Sequence, residues 1–334
     1  MLNPHLNLNK NLFNKDVLEE ATRDGFGKAL VLLGDKNPNI VVLSADLTET
    51  TRCEEFAQKY PNRFFEVGVA EQNMAAIAAG LGVSGKTAFI CSYATFSPGK
   101  NWETIRTTIV YNNANVKIAG HHSGVATGPD GVTHQATEDI AITRCWPNID
   151  IVIPCDSIEA KKATIALGKT TKPSYLRLTR AKTPIITTAE TPFSLGKLQT
   201  FWISESPQVT IFASGYMLYH ALLAAKKLEE EKINVLVVNF ATIKPLDKYM
   251  LIRLAKQTGA FVSVEDHQIA GGTGSAIAEF LARYYPIPME FIGLDDTFAE
   301  SGSLNEIIKK YKMDSTNIVT HVKKVIHRKR IIAA

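Results

Sequence analysis

The sequence predicts an α/β protein of two domains, each with a mostly parallel sheet flanked by helices. Three observations lead there. Across the first half, short apolar runs alternate with helical patterns, which is how βαβ units of a parallel sheet read. Over residues 181–200 the pattern lapses, with Pro184, Pro192 and several threonines in place of helical periodicity, and then a second set begins. The chain has 334 residues with 45% hydrophobic content. Single cores stop growing beyond roughly 250–300 residues, so two cores are expected.

In order, strands are expected at residues 40–43, 63–67, 87–90, 116–119 and 151–153, where β-branched and aromatic residues cluster. Between them, helices are expected near 14–34, 50–60, 71–82, 98–112, 137–145 and 157–168. The second set has strands at 209–213, 235–238, 261–264 and 290–292, separated by helices near 216–230, 247–256, 274–284 and 303–310. The first domain is expected over 10–185 and the second over 195–325. No short-period repeat and no low-complexity segment interrupts them.

A net charge of +4 is small for this length. Its densest basic run, Lys323-Lys324 through Arg328-Lys329-Arg330, is expected to be a solvated tail and not a nucleic-acid surface. Cys53, Cys91, Cys145 and Cys155 show no Cys-x-x-Cys spacing, which fits a reduced, cytoplasmic protein and argues against a structural zinc site. There is no basic start followed by an apolar run, and no apolar stretch of spanning length, so neither export nor a membrane is expected.

The most telling stretch runs Phe64-Phe65-Glu66-Val67-Gly68-Val69-Ala70-Glu71-Gln72-Asn73-Met74. It puts Glu71 in the first turn of a helix at the carboxyl end of a strand, the edge where open α/β folds bind ligands. Complementing the helix dipole is the plainer role for such a residue, worth about 0.3–1 kcal/mol. A second stretch, residues 120–135, follows a strand and sets His121, His122 and His134 with Asp130 in a glycine-rich loop. Histidine moves protons near neutral pH, and a long loop over a strand end suits a ligand better than a surface turn. Adjacent His121 and His122 are poorly arranged to converge on one metal ion. Arg23 and Arg180 offer planar, permanently charged forks suited to phosphate, although either alone reads first as a surface or salt-bridge residue. The run Cys91-Ser92-Tyr93-Ala94-Thr95-Phe96 supplies either a flat wall for a heteroaromatic ring or ordinary packing. Gly271-Gly272-Thr273-Gly274 lacks the third glycine of a dinucleotide fingerprint and reads as close backbone packing or the approach of another subunit.

Together these segments resemble transketolase, in its pyrimidine-binding and C-terminal domains, from about residue 15 to 315. The resemblance lies in their order: Ala21-Thr22-Arg23, Ser44-Ala45-Asp46-Leu47-Thr48, Gly68 to Met74, Asp130-Gly131-Val132-Thr133-His134-Gln135, Arg180, then Glu265-Asp266-His267 with the glycine loop. It implies thiamine diphosphate chemistry, with Glu71 matching the glutamate that hydrogen-bonds the aminopyrimidine. By the same resemblance Asp46 lines the cofactor side, while Tyr93 and Phe96 wall the pyrimidine. Transketolases often carry an aromatic where this chain has Gly99, which leaves Phe96 or Trp102 as the stacking partner. Asp130, His134 and one of His121 and His122 match residues that contact the sugar hydroxyls and assist proton transfers, His122 having the better spacing to Asp130. Arg23 and Arg180, with Thr50, match the substrate phosphate site.

Full transketolases begin with a domain that grips the diphosphate through Mg2+, using a Gly-Asp-Gly sequence that is absent here. The resemblance therefore implies the second half of a split transketolase. Its partner would be a chain carrying the diphosphate and metal site, this chain supplying no metal ligand, and the assembly would be a heterotetramer. Small residues along the helix after Glu71 would admit a close neighbour. Three alternatives stay open: a deoxyxylulose-phosphate synthase, the β subunit of a ketoacid dehydrogenase, and a non-catalytic assembly subunit of the same fold.

Overall fold

The computed structural model describes residues 1–333. Its strands are β1 (Glu19–Glu20), β2 (Ile40–Ser44), β3 (Phe64–Glu66), β4 (Thr87–Tyr93), β5 (Val116–His121), β6 (Asp150–Val152), β7 (Ser174–Arg177) and β8 (Thr183–Pro184), followed by β9 (Gln199–Trp202), β10 (Val209–Ala213), β11 (Val235–Asn239), β12 (Thr242–Lys244), β13 (Phe261–Gln268) and β14 (Met289–Leu294). The first sheet has the order β12-β6-β7-β5-β4-β2-β3 and is parallel except at β12. The second has the order β14-β13-β10-β11-β9 and is parallel except at β9. Their central strands are buried along their whole length, as parallel strands covered on both faces must be.

Several elements differ from the expectation, each for a local reason. The first helix, α1 (Thr22–Lys36), begins at residue 22 and not 14. Leu8 and Leu12 are drawn into the core of the second sheet, and Glu19 and Glu20 pair with Pro184 and Thr183, so the chain reaches residue 21 extended. There the Asp24 carboxylate accepts from the Ala21 N–H and starts the helix. The expected helix over 50–60 shortens to α2 (Glu54–Lys59). After α3 (Glu71–Val83), the expected helix over 98–112 is instead two π-helical turns, Thr95–Lys100 and Ile105–Val110, on either side of the short α4 (Trp102–Thr104). Pro98 has no N–H to give the ladder, and the Gly99 N–H reaches back five residues to the Ala94 carbonyl at 3.0 Å.

The remaining helices are α5 (Asp139–Arg144), α6 (Ser157–Gly168), α7 (Met217–Glu230), α8 (Lys248–Thr258), α9 (Thr273–Tyr284), α10 (Leu304–Lys310) and α11 (Ser315–Ala333). α11 corrects the expected solvated tail. Ile318, Val322 and Val325 on it are fully buried against α7 and the second sheet, while Lys324 and Arg328 pair with Glu290 at 2.8 and 2.5 Å. Its basic residues are the outer stripe of an amphipathic helix, and the apolar stripe covers the sheet.

The two domains share a surface and a strand. β12 belongs to the second half of the chain yet extends the first sheet by pairing with β6. One continuous core runs from Leu43, Ile90 and Ile118 in the first sheet through Ile151 to Phe212, Phe240 and Phe261 in the second. The N-terminal segment crosses back, with the Asn3 N–H bonded to the Phe201 carbonyl and Phe13 edge-on to Trp202. Among the described residues no helix is long and apolar enough to cross a membrane.

Candidate active site

The carboxyl ends of β4 and β5, together with the starts of α1 and α3, gather most of the residues singled out in the sequence. Glu71 opens α3 and is only 2% exposed. Its Oε2 accepts from Lys100 Nζ at 3.2 Å, and its backbone carbonyl accepts from Asn101 Nδ2 at 2.9 Å. Those two partners are the last residue of the π-helical turn after β4 and its C-cap, so that irregular segment holds both the carboxylate and the backbone of Glu71. On the other side the loop before α3 is pinned by Glu66, whose Oε1 accepts from the N–H groups of Asp46 at 2.6 Å and Gly68 at 3.0 Å.

Tyr93 ends β4 and stacks on His122, centroid to centroid 3.8 Å, and more loosely on Phe96 at 6.0 Å. His134 meets both Phe96 and Tyr93 edge-on, at 5.5 and 6.0 Å. Four rings thus form one wall. His121 does not belong to it: it is fully buried against Phe26 on the opposite side of β5. The alternation of side chains along a strand and the left-handed φ of His122, +53°, send the two histidines apart.

Arg23 and Arg180 are brought together by the residues just before them. Thr179 donates its N–H to Thr22 Oγ1 at 2.7 Å, and the two hydroxyls lie 3.1 Å apart. Arg23 Nη1 donates to the Thr50 carbonyl at 2.9 Å and lies 3.4 Å from His122 Nε2. Arg180 Nη1 donates to Asp130 Oδ1 at 2.8 Å and to the Thr127 carbonyl at 3.1 Å. Burial, with Arg23, Arg180 and His134 adding repulsion, pulls the His122 pKa down to about 3. The ring is therefore neutral, and with Nε2 facing a guanidinium donor its proton belongs on Nδ1. That nitrogen and Arg23 Nε are buried without a partner among the described residues.

Two expected residues stand away from this group. Trp102 donates from Nε1 to the Ile142 carbonyl at 2.7 Å and packs at 5.4 Å from Trp146, because the π-turns rotate it toward α5 and away from Phe96. Asp46 is exposed at the end of β2, where its backbone N–H is held and its carboxylate is free in solvent. Thr50 contributes its carbonyl to Arg23, while its hydroxyl donates to the Leu47 carbonyl at 3.2 Å. Lys100 and Asn101 were missed because a π-turn has no signature in helical periodicity. The glycine loop also finds its reason: Glu265 accepts from the Thr273 and Gly274 N–H groups at 2.6 and 2.9 Å, and so occupies the α9 N-terminus itself. A Cβ at Gly272 would lie 2.0 Å from Glu265 Oε2.

Two α/β units thus meet, with a buried glutamate, an aromatic wall and paired arginines carried on the first, and the family comparisons say which class of protein this is. The pyrimidine-binding domain of transketolase matches residues 19–185 and the transketolase C-terminal domain matches residues 200–318, so this chain belongs to the transketolase family. Several of its relatives in the family are themselves short chains of this extent. It is 39% identical, over 91% of this chain and 95% of the relative, to a putative transketolase C-terminal section of Methanocaldococcus jannaschii. It is 34% identical, over 89% of this chain and 95% of the relative, to an apulose-4-phosphate transketolase subunit of Phocaeicola vulgatus. It is also 34% identical, over 95% of this chain and 98% of the relative, to the 6-deoxy-6-sulfo-D-fructose transketolase subunit SqwH of Clostridium sp. (strain MSTE9). A solved structure described as "Split gene transketolase, inactive beta4 tetramer" superposes with a TM-score of 0.84 at 40% identity, over 92% of this chain and 99% of that one. Against human transketolase the chain aligns over 92% of its own length but 49% of the longer protein.

Thiamine diphosphate dependence is general to the family. The residues here fit the pyrimidine end of that cofactor, since Glu71 is a buried acceptor whose Lys100 partner shares the 95–100 turn with Phe96 of the aromatic wall. Among the described residues no group of three or more His, Cys, Asp or Glu is placed to hold a metal ion.

Proposed function

We propose that this chain is the pyrimidine-side subunit of a thiamine diphosphate-dependent transketolase that moves a two-carbon ketol unit between sugar phosphates. Its active site is shared with a partner chain that holds the diphosphate and Mg2+. The observation that carries this is the convergence of buried Glu71, the Tyr93–Phe96 wall and the Arg23–Arg180 pair at one sheet edge. When bound, the cofactor supplies the carbanion sink. This chain's part is binding and proton handling. Glu71 accepts a hydrogen bond in a cleft of low dielectric, where it is stronger than in water.

Arg23 and Arg180 hold the substrate's anionic end through their guanidinium groups, Arg180 by exchanging Asp130 for phosphate. His122, held neutral, shares its loop with His134 and Asp130, and the three contact the sugar hydroxyls. Two relatives named for sugars that carry a phosphate or a sulfonate support such an end group. The relative described as an inactive tetramer supports a chain that self-associates yet needs another chain to turn over. The outer face of α3 offers Ala76, Ile77, Gly80 and Val83 to solvent, which suits close packing in a heterotetramer. A cytoplasmic setting suits the four unpaired cysteines.

The test is turnover of xylulose 5-phosphate with ribose 5-phosphate, in the presence of thiamine diphosphate and Mg2+. The chain is assayed alone and then with a candidate diphosphate-domain chain. Turnover in the mixture alone is expected. Silence in a complex shown to have assembled overturns the proposal, and a pyruvate-dependent condensation with glyceraldehyde 3-phosphate would reassign the reaction.

A further inference from the structure

The loop that carries His122, Asp130 and His134 is held by the second domain as firmly as by the first. From β13, inside the second sheet, the side chain of Asp266, 2% exposed, reaches the first domain, where its Oδ1 accepts from the Val125 N–H at 2.8 Å. Val125 is three residues beyond His122. Arg177, at the end of β7, fills the space between. Its Nε donates to Asp139 Oδ2 at 2.8 Å, and its Nη2 donates to the Asp266 carbonyl at 2.7 Å and the Ala136 carbonyl at 3.2 Å. The same Ala136 carbonyl accepts from the Gly124 N–H at 2.8 Å, closing the loop's neck.

Gly124 shows how tightly this contact is built. Its φ is +68°, and a Cβ there would sit 2.0 Å from Asp266 Oδ2. Only glycine lets the carboxylate come this near while the chain takes a left-handed turn. Farther along, Gln135 Nε2 donates to the Glu300 carbonyl at 3.2 Å, and a Cβ at Gly131 would meet Ser301 Oγ at 2.4 Å. Within its own domain Asp266 faces the buried Tyr216 hydroxyl, and its nearest cation, Arg177 Nη1, lies 3.9 Å from Oδ2. Among the described residues the hydrogen bond that its carboxylate closes is the one from Val125, with Oδ2 left without a partner.

We propose that Asp266 is a positioning residue for the substrate loop: through Val125 it fixes the turn at residues 122–124 that sets His122 against Arg23 and Tyr93. The second domain thereby orders the substrate half of the site and leaves the Glu71 half alone. For its kinetic consequence this rests on the transketolase reading above. For its structural consequence it does not.

Two readouts test it. In the isolated chain, Asp266→Ala is expected to raise amide hydrogen exchange across residues 122–135 at least tenfold, with α3 unchanged. Asp266→Asn, which keeps an oxygen able to accept from Val125, is expected to restore most of the protection. In the reconstituted complex, Asp266→Ala is expected to raise KM for xylulose 5-phosphate about tenfold or more, the size that loss of one buried charge-assisted hydrogen bond implies. The thiamine diphosphate requirement is expected to move less than about twofold, and Asp266→Asn to recover the sugar KM. Equal protection in wild type and Asp266→Ala overturns the proposal, as does a parallel rise in the sugar and cofactor requirements. Should Asp266→Ala not fold, Gly124→Ala separates the same contact from the loop side and is judged by the same comparisons. A wild-type complex with no turnover would defeat the functional reading only, and the exchange comparison would still decide the positioning.

Discussion

At the level of single residues, the site's electrostatics come from burial more than from pairing. Glu71 is nearly fully buried, and Lys100, which pairs with it, is half exposed, so the pair adds little stability against solvent screening. Glu71→Gln is expected to lower kcat of the reconstituted complex by about 10²–10⁴, the range of a positioned proton-handling group, with the mass of the assembly unchanged in light scattering. His122 gives a pH prediction. Its folded pKa, about 3, lies below the ordinary 6.5, so the fold favours the neutral ring. That contribution is complete above pH 6.5 and is lost as pH falls toward 3. Urea titrations at about pH 7 and about pH 5 should show the loss, and His122→Asn should reduce it. The ring's NMR signals should stay flat between about pH 5 and 8. Glu71 was legible in the sequence because its strand, turn and helix are contiguous. Asp266 was not legible as part of the site, since it acts from 141 residues away on a backbone N–H that leaves no trace in residue type.

Among the elements, two segments whose composition suggested one thing do another. The glycine loop before α9 exists so that Glu265 can reach the helix N-terminus. Gly274 has no room for a side chain, because a Cβ would lie 2.3 Å from Ser263 Oγ. Gly274→Ala is expected to cost about 1–3 kcal/mol in urea unfolding, the usual effect of overpacking. The basic C-terminal run is a helix whose apolar stripe completes the second core. Ile318→Ala is expected to cost about 2–5 kcal/mol. Lys323→Ala, half exposed on the opposite stripe, should stay within about 0.5 kcal/mol by the same measurement. Charge density concealed the stripe, since Lys323, Lys324, Arg328, Lys329 and Arg330 crowd around Val325 and Ile326 and dominate any local reading. The π-turns of residues 95–110 were hidden for a different reason. Their geometry answers to Pro98 and to the side chain of Asn101 gripping the Glu71 carbonyl, both outside the helical period.

For the molecule as a whole, the exposed face of α3 and the turn before it matter most. Val69 is 71% exposed, Val83 63% and Ile77 38%, a run of apolar surface beside the buried carboxylate of the site. Ile77→Asp is expected to reduce self-association at least tenfold without unfolding the chain, read by sedimentation against concentration. An unchanged assembly would move the interface elsewhere. Within the chain, the lent strand β12, the shared core and the Asp266–Val125 bond make the two domains one body.

Whatever depends on near neighbours could be read from residue order. Two α/β domains, the succession of their principal strands and helices, the carboxylate at the start of α3 and the aromatic end of β4 follow from period, propensity and contiguous motifs. Folding in three dimensions was needed to settle which of two adjacent histidines faces Arg23, that Trp102 turns toward Trp146, that Lys100 meets Glu71 and that Asp266 meets the Val125 N–H. Those outcomes depend on contacts between residues far apart in the chain, where a left-handed turn, a missing Cβ or a borrowed strand sets the distance and residue type alone does not.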